Sequence, residues 1–173
     1  MPPIFPVIFP VNITRLDPYK SYAFQIFFGQ SSTAVAAVSK ISALRCSSDV
    51  IEYREGGNKI ILKGLGRTKY EPLTLERGIT QDLDFITWAN AAQKLDQGHA
   101  TTSLANLRRE VRLQLMNEDG QAVHGYIIHR CWVSEFQALP DLDAGANAVA
   151  VEHIKLENEG WEVDPSVVEV TET

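Results

Sequence analysis

LTLERGITQDLDFITWAN, residues 73–90, changes its period in the middle. Up to Gly78 the chain alternates, with Leu73 and Leu75 set against Thr74 and Glu76, the two-residue repeat of a half-buried strand. After Thr80 the apolar residues Phe85, Trp88, Ala89, Ala92 and Leu95 recur every three or four positions, the repeat of an amphipathic helix. Thr80 is placed to cap that helix, Asp82 and Asp84 to complement the positive end of its dipole, and Gly98 to end it. Phe85, Trp88 and Ala92 form the stripe expected to bury against a sheet. Between strand and helix stands a charged corner, Glu76-Arg77-Gly78, with no nucleophile, metal cluster or phosphate loop beside it to explain it.

Around this stretch nearly everything reads as strand. Residues 21–29, SYAFQIFFG, place Tyr22, Phe24, Ile26 and Phe28 on one face. Residues 34–44 and 49–55 follow, the second stopping at Gly56-Gly57, and KIILKG and YEPLTLERG make two further short runs. From Arg109 the alternation of Val111, Leu113 and Leu115 with polar residues leads into a turn at Asn117-Glu118-Asp119-Gly120 and a return strand to Val133, the pattern of a hairpin. Residues 147–161 supply a last strand. One helix among many strands predicts a mainly β (α+β) fold, two packed antiparallel sheets forming a barrel-like sandwich with one principal α-helix.

Composition narrows the function. A chain of 173 residues with 45% hydrophobic and 22% charged residues suits one globular domain. A net charge of -6 argues against general nucleic-acid binding, which needs clustered cations. Cys46 and Cys131 are too far apart in sequence for a C-x-x-C metal or redox motif. His99, His124, His129 and His153 are scattered, and an odd spacing sends His124 and His129 to opposite faces of a regular strand. The segment GGNKIILKGLGRTK lacks phosphate-loop spacing, and DLDAGAN reads as an Asx-rich turn rather than a calcium loop. Asp82 and Asp84 belong to the helix start, and no strand-Ser-helix elbow exists for a catalytic triad. No enzyme and no cofactor are indicated.

The opening segment MPPIFPVIFPVNITRLDP does not read as a signal peptide or membrane anchor, because Pro2, Pro3, Pro6 and Pro10 break any helix and no basic region precedes it. Its Ile4, Phe5, Val7, Ile8 and Phe9 are too apolar to stay free in water, so an arm that docks, on its own domain or on a neighbouring subunit, is expected. The chain divides into this arm (residues 1–14), a main domain (15–163) and a C-terminal tail (164–173).

The blocks RLDPYKSYAFQI, VIEYREGGN, LTLERGITQDLDFITWAN and HRCWVSEFQALPDLDAGANAVAVEHIKLENEGW, taken in order from Arg15 to Trp161, resemble the tail tube (inner tube) proteins of contractile phage tails and contractile injection systems, of the T4-like type. The resemblance implies a structural subunit forming hexameric rings that stack into a hollow conduit, with sheets of neighbours joining around a lumen. Its partners would be other copies of itself, sheath, baseplate and adjacent tube subunits, with cargo protein or DNA in the lumen. The chain would be made in the bacterial cytoplasm and built into a phage tail or injection particle. In that setting the charged strand ends, Glu52, Arg54 and Glu55 with Gly56-Gly57, Glu76, Arg77 and Gly78, and Glu157, become candidates for the subunit interface. Reversing Arg77 is then expected to weaken oligomers and leave the monomer folded.

Two departures, only a short NKIILKG after Gly57 where many tube subunits have a longer loop, and the Pro-rich arm, leave two forms open: an ordinary tube subunit with its arm folded back, and a specialised baseplate-proximal subunit. Rival readings are an intracellular ligand-binding β-barrel, whose apolar strand faces would line a cavity, and a secreted hexameric tube protein of the type VI kind.

Overall fold

A computed structural model describes residues 21, 23–35, 37–54, 56, 61–96, 107–143, 145 and 148–168, with the helix side chains described as far as Lys94. The arm residues Ile4, Phe5, Val7, Ile8 and Phe9, together with Tyr22, Glu55, Gly57 and Gly98, lie outside these residues, as does the side chain of Leu95.

Among the described residues, nine strands and one long helix follow in the order β1 (Phe24–Phe28), β2 (Val38–Ile41), β3 (Cys46–Tyr53), β4 (Leu62–Tyr70), β5 (Leu73–Gly78), α1 (Asp84–Asp96), β6 (Arg109–Met116), β7 (Ala122–Gln137), β8 (Val151–Glu157) and β9 (Trp161–Val163). Seven of the strands form one antiparallel sheet in the order β1-β6-β7-β8-β5-β2, with β9 on β7, and β3 and β4 form a separate two-stranded sheet. The path does not close on itself among the described residues, so the architecture is a sandwich and not a complete barrel.

The sandwich is made by a bend in β7. The strand is 16 residues long, and its first half pairs with β6 and β9 while its second half pairs with β8. The exchange of partners falls at His129-Arg130-Cys131, where Arg130 adopts φ +52°, a conformation that costs a non-glycine residue on the order of 1 kcal/mol. Ile26, Phe28, Val111, Leu113 and Ile128 come from one half of the sheet, Leu73, Leu75, Val133, Ile154 and Leu156 from the other, and together they make one buried cluster.

The helix closes this cluster through the residues its period selects. Phe85, Trp88 and Ala89 are buried and Ala92 is half-buried. Phe28 meets Trp88 edge-on at 4.9 Å and Phe85 at 5.8 Å between ring centroids. The Trp88 indole donates to the Leu107 carbonyl at 2.8 Å, which satisfies its single polar atom inside the core. The helix begins at Asp84, four residues after Thr80. Thr80 Oγ1 accepts the Asp82 amide at 3.2 Å in a turn of its own, and Asp82 Oδ1 accepts the Asp84 amide at 2.9 Å. The capping carboxylate is thus Asp82, because the Thr80 hydroxyl is already engaged two residues upstream.

Candidate assembly surface

The residues of the Glu76-Arg77-Gly78 corner part company in the structure. In β5 the inward positions are Leu73, Leu75 and Arg77, paired across β8 with Leu156, Ile154 and Glu152. Arg77 therefore ends an apolar ladder, and its side chain is 1% exposed. It donates to Glu152 Oε1 at 2.5 Å, to Asp82 Oδ2 at 3.0 Å and to the Asp82 carbonyl at 2.6 Å, and its guanidinium lies 4.0 Å from the centre of the Phe85 ring. One cation ties β5, β8 and the entry to α1 together. Burying an ion is costly unless it is paired and hydrogen-bonded, and each of the three guanidinium nitrogens of Arg77 has a partner. Arg77 is for this reason an internal strut whose side chain no neighbouring subunit can reach. The reversal that should have tested an interface would instead bury a carboxylate beside Glu152.

Glu76, one position away, faces outward opposite His153, and Lys40 on β2 meets it at 2.8 Å. Gly78 and Glu157 lie on the same outward face, with open space around the Gly78 α-carbon. His153 reaches Glu135 at 3.5 Å there. The outward face of this half-sheet is thus charged, while its inward face is apolar.

Glu52, Arg54 and Gly56 belong to a different surface, the β3-β4 hairpin. Glu52 pairs with Lys63 across the ladder, at 3.6 Å. Arg54 follows the end of β3 and Gly56 lies in the connection. The segment after Gly57, read from sequence as the short run KIILKG, leads into a nine-residue strand, β4. Glycines 64 and 66 interrupt its alternation and hide it. Gly66 is required by the backbone, since a Cβ there would stand 2.7 Å from the Asp49 carbonyl oxygen. The register slips at that point: Ser48 pairs with Thr68 and Val50 with Leu65, so Gly66 and Arg67 together stand opposite Asp49 and the extra residue lies on β4.

Every residue of β3 is exposed. Val50 and Leu65 share one face of the hairpin, 61% and 81% exposed, while Ile51, Tyr53 and Leu62 lie on the other. Apolar residues thus lie on both faces, on one of them beside the Glu52–Lys63 pair, and none of them belongs to the buried cluster. The exposed Lys69–Asp49 pair at 3.0 Å and the Ser48–Thr68 hydroxyl bond at 2.9 Å add little to stability in water. These apolar positions escape sequence reading because an alternation exposed on both faces looks the same as one buried on one face.

Chemistry is sparse elsewhere. The Cys131 thiol is pushed up to about 12, first by burial, with a further push from Glu110, which leaves it unreactive at neutral pH. Among the described residues, no three His, Cys, Asp or Glu side chains are grouped to hold a metal ion. No helix there is long and apolar enough to cross a membrane.

Comparison with known proteins agrees with this geometry. A family model described as "T4-like virus tail tube protein gp19" matches residues 20–162. No curated protein sequence matches. Among solved structures, the chain is similar to one in the anti-feeding prophage cap, "AFP tube terminating cap", with TM-score 0.72 and 22% identity over 91% of this chain and 98% of that one. It is similar to a chain of the PVC extracellular contractile injection system sheath-tube complex in its extended state, with TM-score 0.71 and 20% identity over 88% and 94% of the two chains. It also resembles a chain of the 6-fold symmetrised anti-feeding prophage baseplate, with TM-score 0.67 and 23% identity over 85% and 95%.

Proposed function

This chain belongs to the T4-like virus tail tube protein family, and we propose on that premise that it is a non-catalytic wall subunit, six copies of which form a ring and successive rings a hollow conduit. The observation that carries the reading is the β3-β4 hairpin. A two-stranded sheet with apolar residues on both faces has too little buried surface to persist alone in water. Docked on a second copy of the chain, it buries those faces. The end strands β1 and β2 support the same reading, since among the described residues each has a strand on one side alone and offers an edge that a neighbour's strand can extend, the β1 edge being met by the Val35 amide at the Ile26 carbonyl. The inward apolar side chains are spent on one packed cluster, which speaks against a ligand-lined barrel.

The charged outward face with Glu76, Gly78 and Glu157, and the Glu52, Arg54 and Gly56 end of the hairpin, serve in this proposal to set register between copies, with Glu55 and Gly57 in the same connection. Complementary charge at a boundary selects partner and orientation more than it adds affinity. Sheath and baseplate are the outer partners, and cargo protein or DNA occupies the lumen. The apolar arm, Ile4, Phe5, Val7, Ile8 and Phe9, docks on an adjoining chain and marks a specialised subunit near the baseplate. Deleting Met1 to Val11 should leave a folded domain that no longer co-assembles with its tail neighbours. Unchanged incorporation would remove the arm from the proposal.

The ring itself is tested by light scattering on the purified protein. Particles of six times the 19.3 kDa chain mass, or multiples of that, are expected. A monomer at tens of micromolar would overturn the reading.

A further inference from the structure

The hairpin shares no ladder with the seven-stranded sheet, so something else must set its direction. Its root is Tyr70, the last residue of β4, paired with Cys46 at the start of β3. The Tyr70 ring lies on Gly160, close enough that a Cβ at that glycine would stand 3.3 Å from the ring's Cζ, and Gly160 has φ +130°, which side-chain-bearing residues rarely adopt. Beside it, the Asn158 side-chain amide donates to the Glu71 carbonyl at 2.9 Å, and the Glu71 amide donates to the Arg45 carbonyl at 3.0 Å, joining the two legs of the hairpin below its ladder.

The turn that receives these contacts is itself fastened to the core. The His129 amide donates to the Gly160 carbonyl at 2.8 Å, and the Glu159 amide donates to the His129 carbonyl at 3.1 Å. The Glu159 carboxylate holds Arg108 at 2.8 Å and Arg130 at 3.1 Å. Arg130 is the positive-φ residue at the bend of β7. An unbroken set of bonds therefore runs from the bend that makes the sandwich, through the β8-β9 turn, to the root of the hairpin.

We propose that the turn Asn158–Gly160 is a latch that fixes the angle at which the hairpin leaves the domain, with Tyr70 and Asn158 as its positioning residues, so that the apolar faces meet a second copy in register. The proposal rests on the reading of the hairpin as the assembly arm. Its leverage is geometric. Nine residues of β4 at about 3.3 Å each make an arm of about 30 Å, so a tilt of roughly 10° at the root moves the tip by about 5 Å, one strand spacing. At Val50 and Leu65, four and five residues from the root, the same tilt is a shift of about 3 Å, enough to misplace them on a partner without breaking a bond in the core.

The test uses full-length Tyr70→Ala and Asn158→Ala, singly and together, with Tyr70→Phe as the conservative variant and Leu65→Ser as a hairpin-surface control. Cys46 accepts a nitroxide spin label at the root, and buried Cys131 does not compete. The double alanine variant should keep the wild-type melting temperature within a few degrees, release the label into fast motion, and lower the fraction of stacked rings at least tenfold. Tyr70→Phe, which keeps the ring on Gly160, should restore both label immobilisation and stacking. Should the double variant fail to fold, Asn158→Ala decides, since it removes only the bond to the Glu71 carbonyl and the bond from the Gly160 amide, and should still loosen the label and reduce stacking. Normal stacking by the latch variants while Leu65→Ser fails to stack would overturn the latch and leave the hairpin reading standing. Normal stacking by Leu65→Ser as well would overturn the hairpin reading on which the latch depends.

Discussion

β5 and β3 are both short antiparallel strands near the middle of the chain, and they were folded for opposite purposes. β5 turns Leu73, Leu75 and Arg77 into the core in strict alternation, whereas no residue of β3 is buried. In β5 each inward residue has a cross-strand partner on β8, and Leu73 and Leu75 share the buried cluster with Phe85 and Trp88 of the helix. In β3 the register slips at Asp49, and the apolar residues of the hairpin face away from the core on both sides. On the function proposed above, the difference separates what makes a single chain fold from what makes copies associate. Substitutions in the first region should change stability, and substitutions in the second should change assembly alone.

The largest departure should come from Arg77→Glu. It removes the partner of Glu152 and places a second carboxylate beside it, so the loss should reach or pass the 3–5 kcal/mol typical of a broken buried ion pair. Denaturant unfolding of the monomer measures it. A variant that unfolds like the wild type would move Arg77 back to the surface and blur the contrast between the two regions. Trp88→Ala comes next, at roughly 3–5 kcal/mol, because it empties the space between Phe28 and α1 and leaves the Leu107 carbonyl without its donor. A melting temperature unchanged within error would make the helix peripheral.

A smaller, pH-dependent effect belongs to Cys131. Its folded-state pKa of about 12 lies above the thiol value of 9.0, so the neutral thiol's contribution is fully present below pH 9 and is lost as pH rises toward 12. At pH 10.5 the loss should be about 2 kcal/mol, from roughly 1.4 kcal/mol per pH unit. Comparison with Cys131→Ala isolates it from other groups titrating there. An identical alkaline slope in the two proteins would contradict the burial of the thiol. In native protein at neutral pH, one thiol per chain, that of Cys46, should react with an alkylating reagent.

The smallest effect on stability is expected from Val50→Ser with Leu65→Ser, within about 0.5 kcal/mol for each exposed position. That pair should nevertheless abolish stacking, and a variant that melts lower would mean that the hairpin belongs to the core.

The core strands and the helix were legible because their periods report burial directly. Leu73, Leu75, Phe85 and Trp88 sit where alternation or helical spacing put them. The boundary at Thr80 was misplaced because a hydroxyl and a carboxylate two residues apart are equally good caps, and only the backbone decides between them. Arg77 read as an interface charge because sequence marks an arginine at a strand end without showing Glu152, 75 residues away, on the facing strand. β4 read only as the short run KIILKG because Gly64 and Gly66, the second required by the close approach of Asp49, look the same as turn residues. The latch was invisible for a similar reason, since Asn158 and Gly160 form an ordinary turn signal until the Tyr70 ring is laid against them.

Negative-stain electron microscopy of the wild-type protein beside the Val50→Ser, Leu65→Ser variant tests the central claim most directly. Six-membered rings stacked into hollow tubes are expected for the wild type, and isolated rings or single subunits of unchanged fold for the variant. Single subunits in both samples at every concentration, or tubes of equal length in both, would contradict the assignment of the hairpin to assembly.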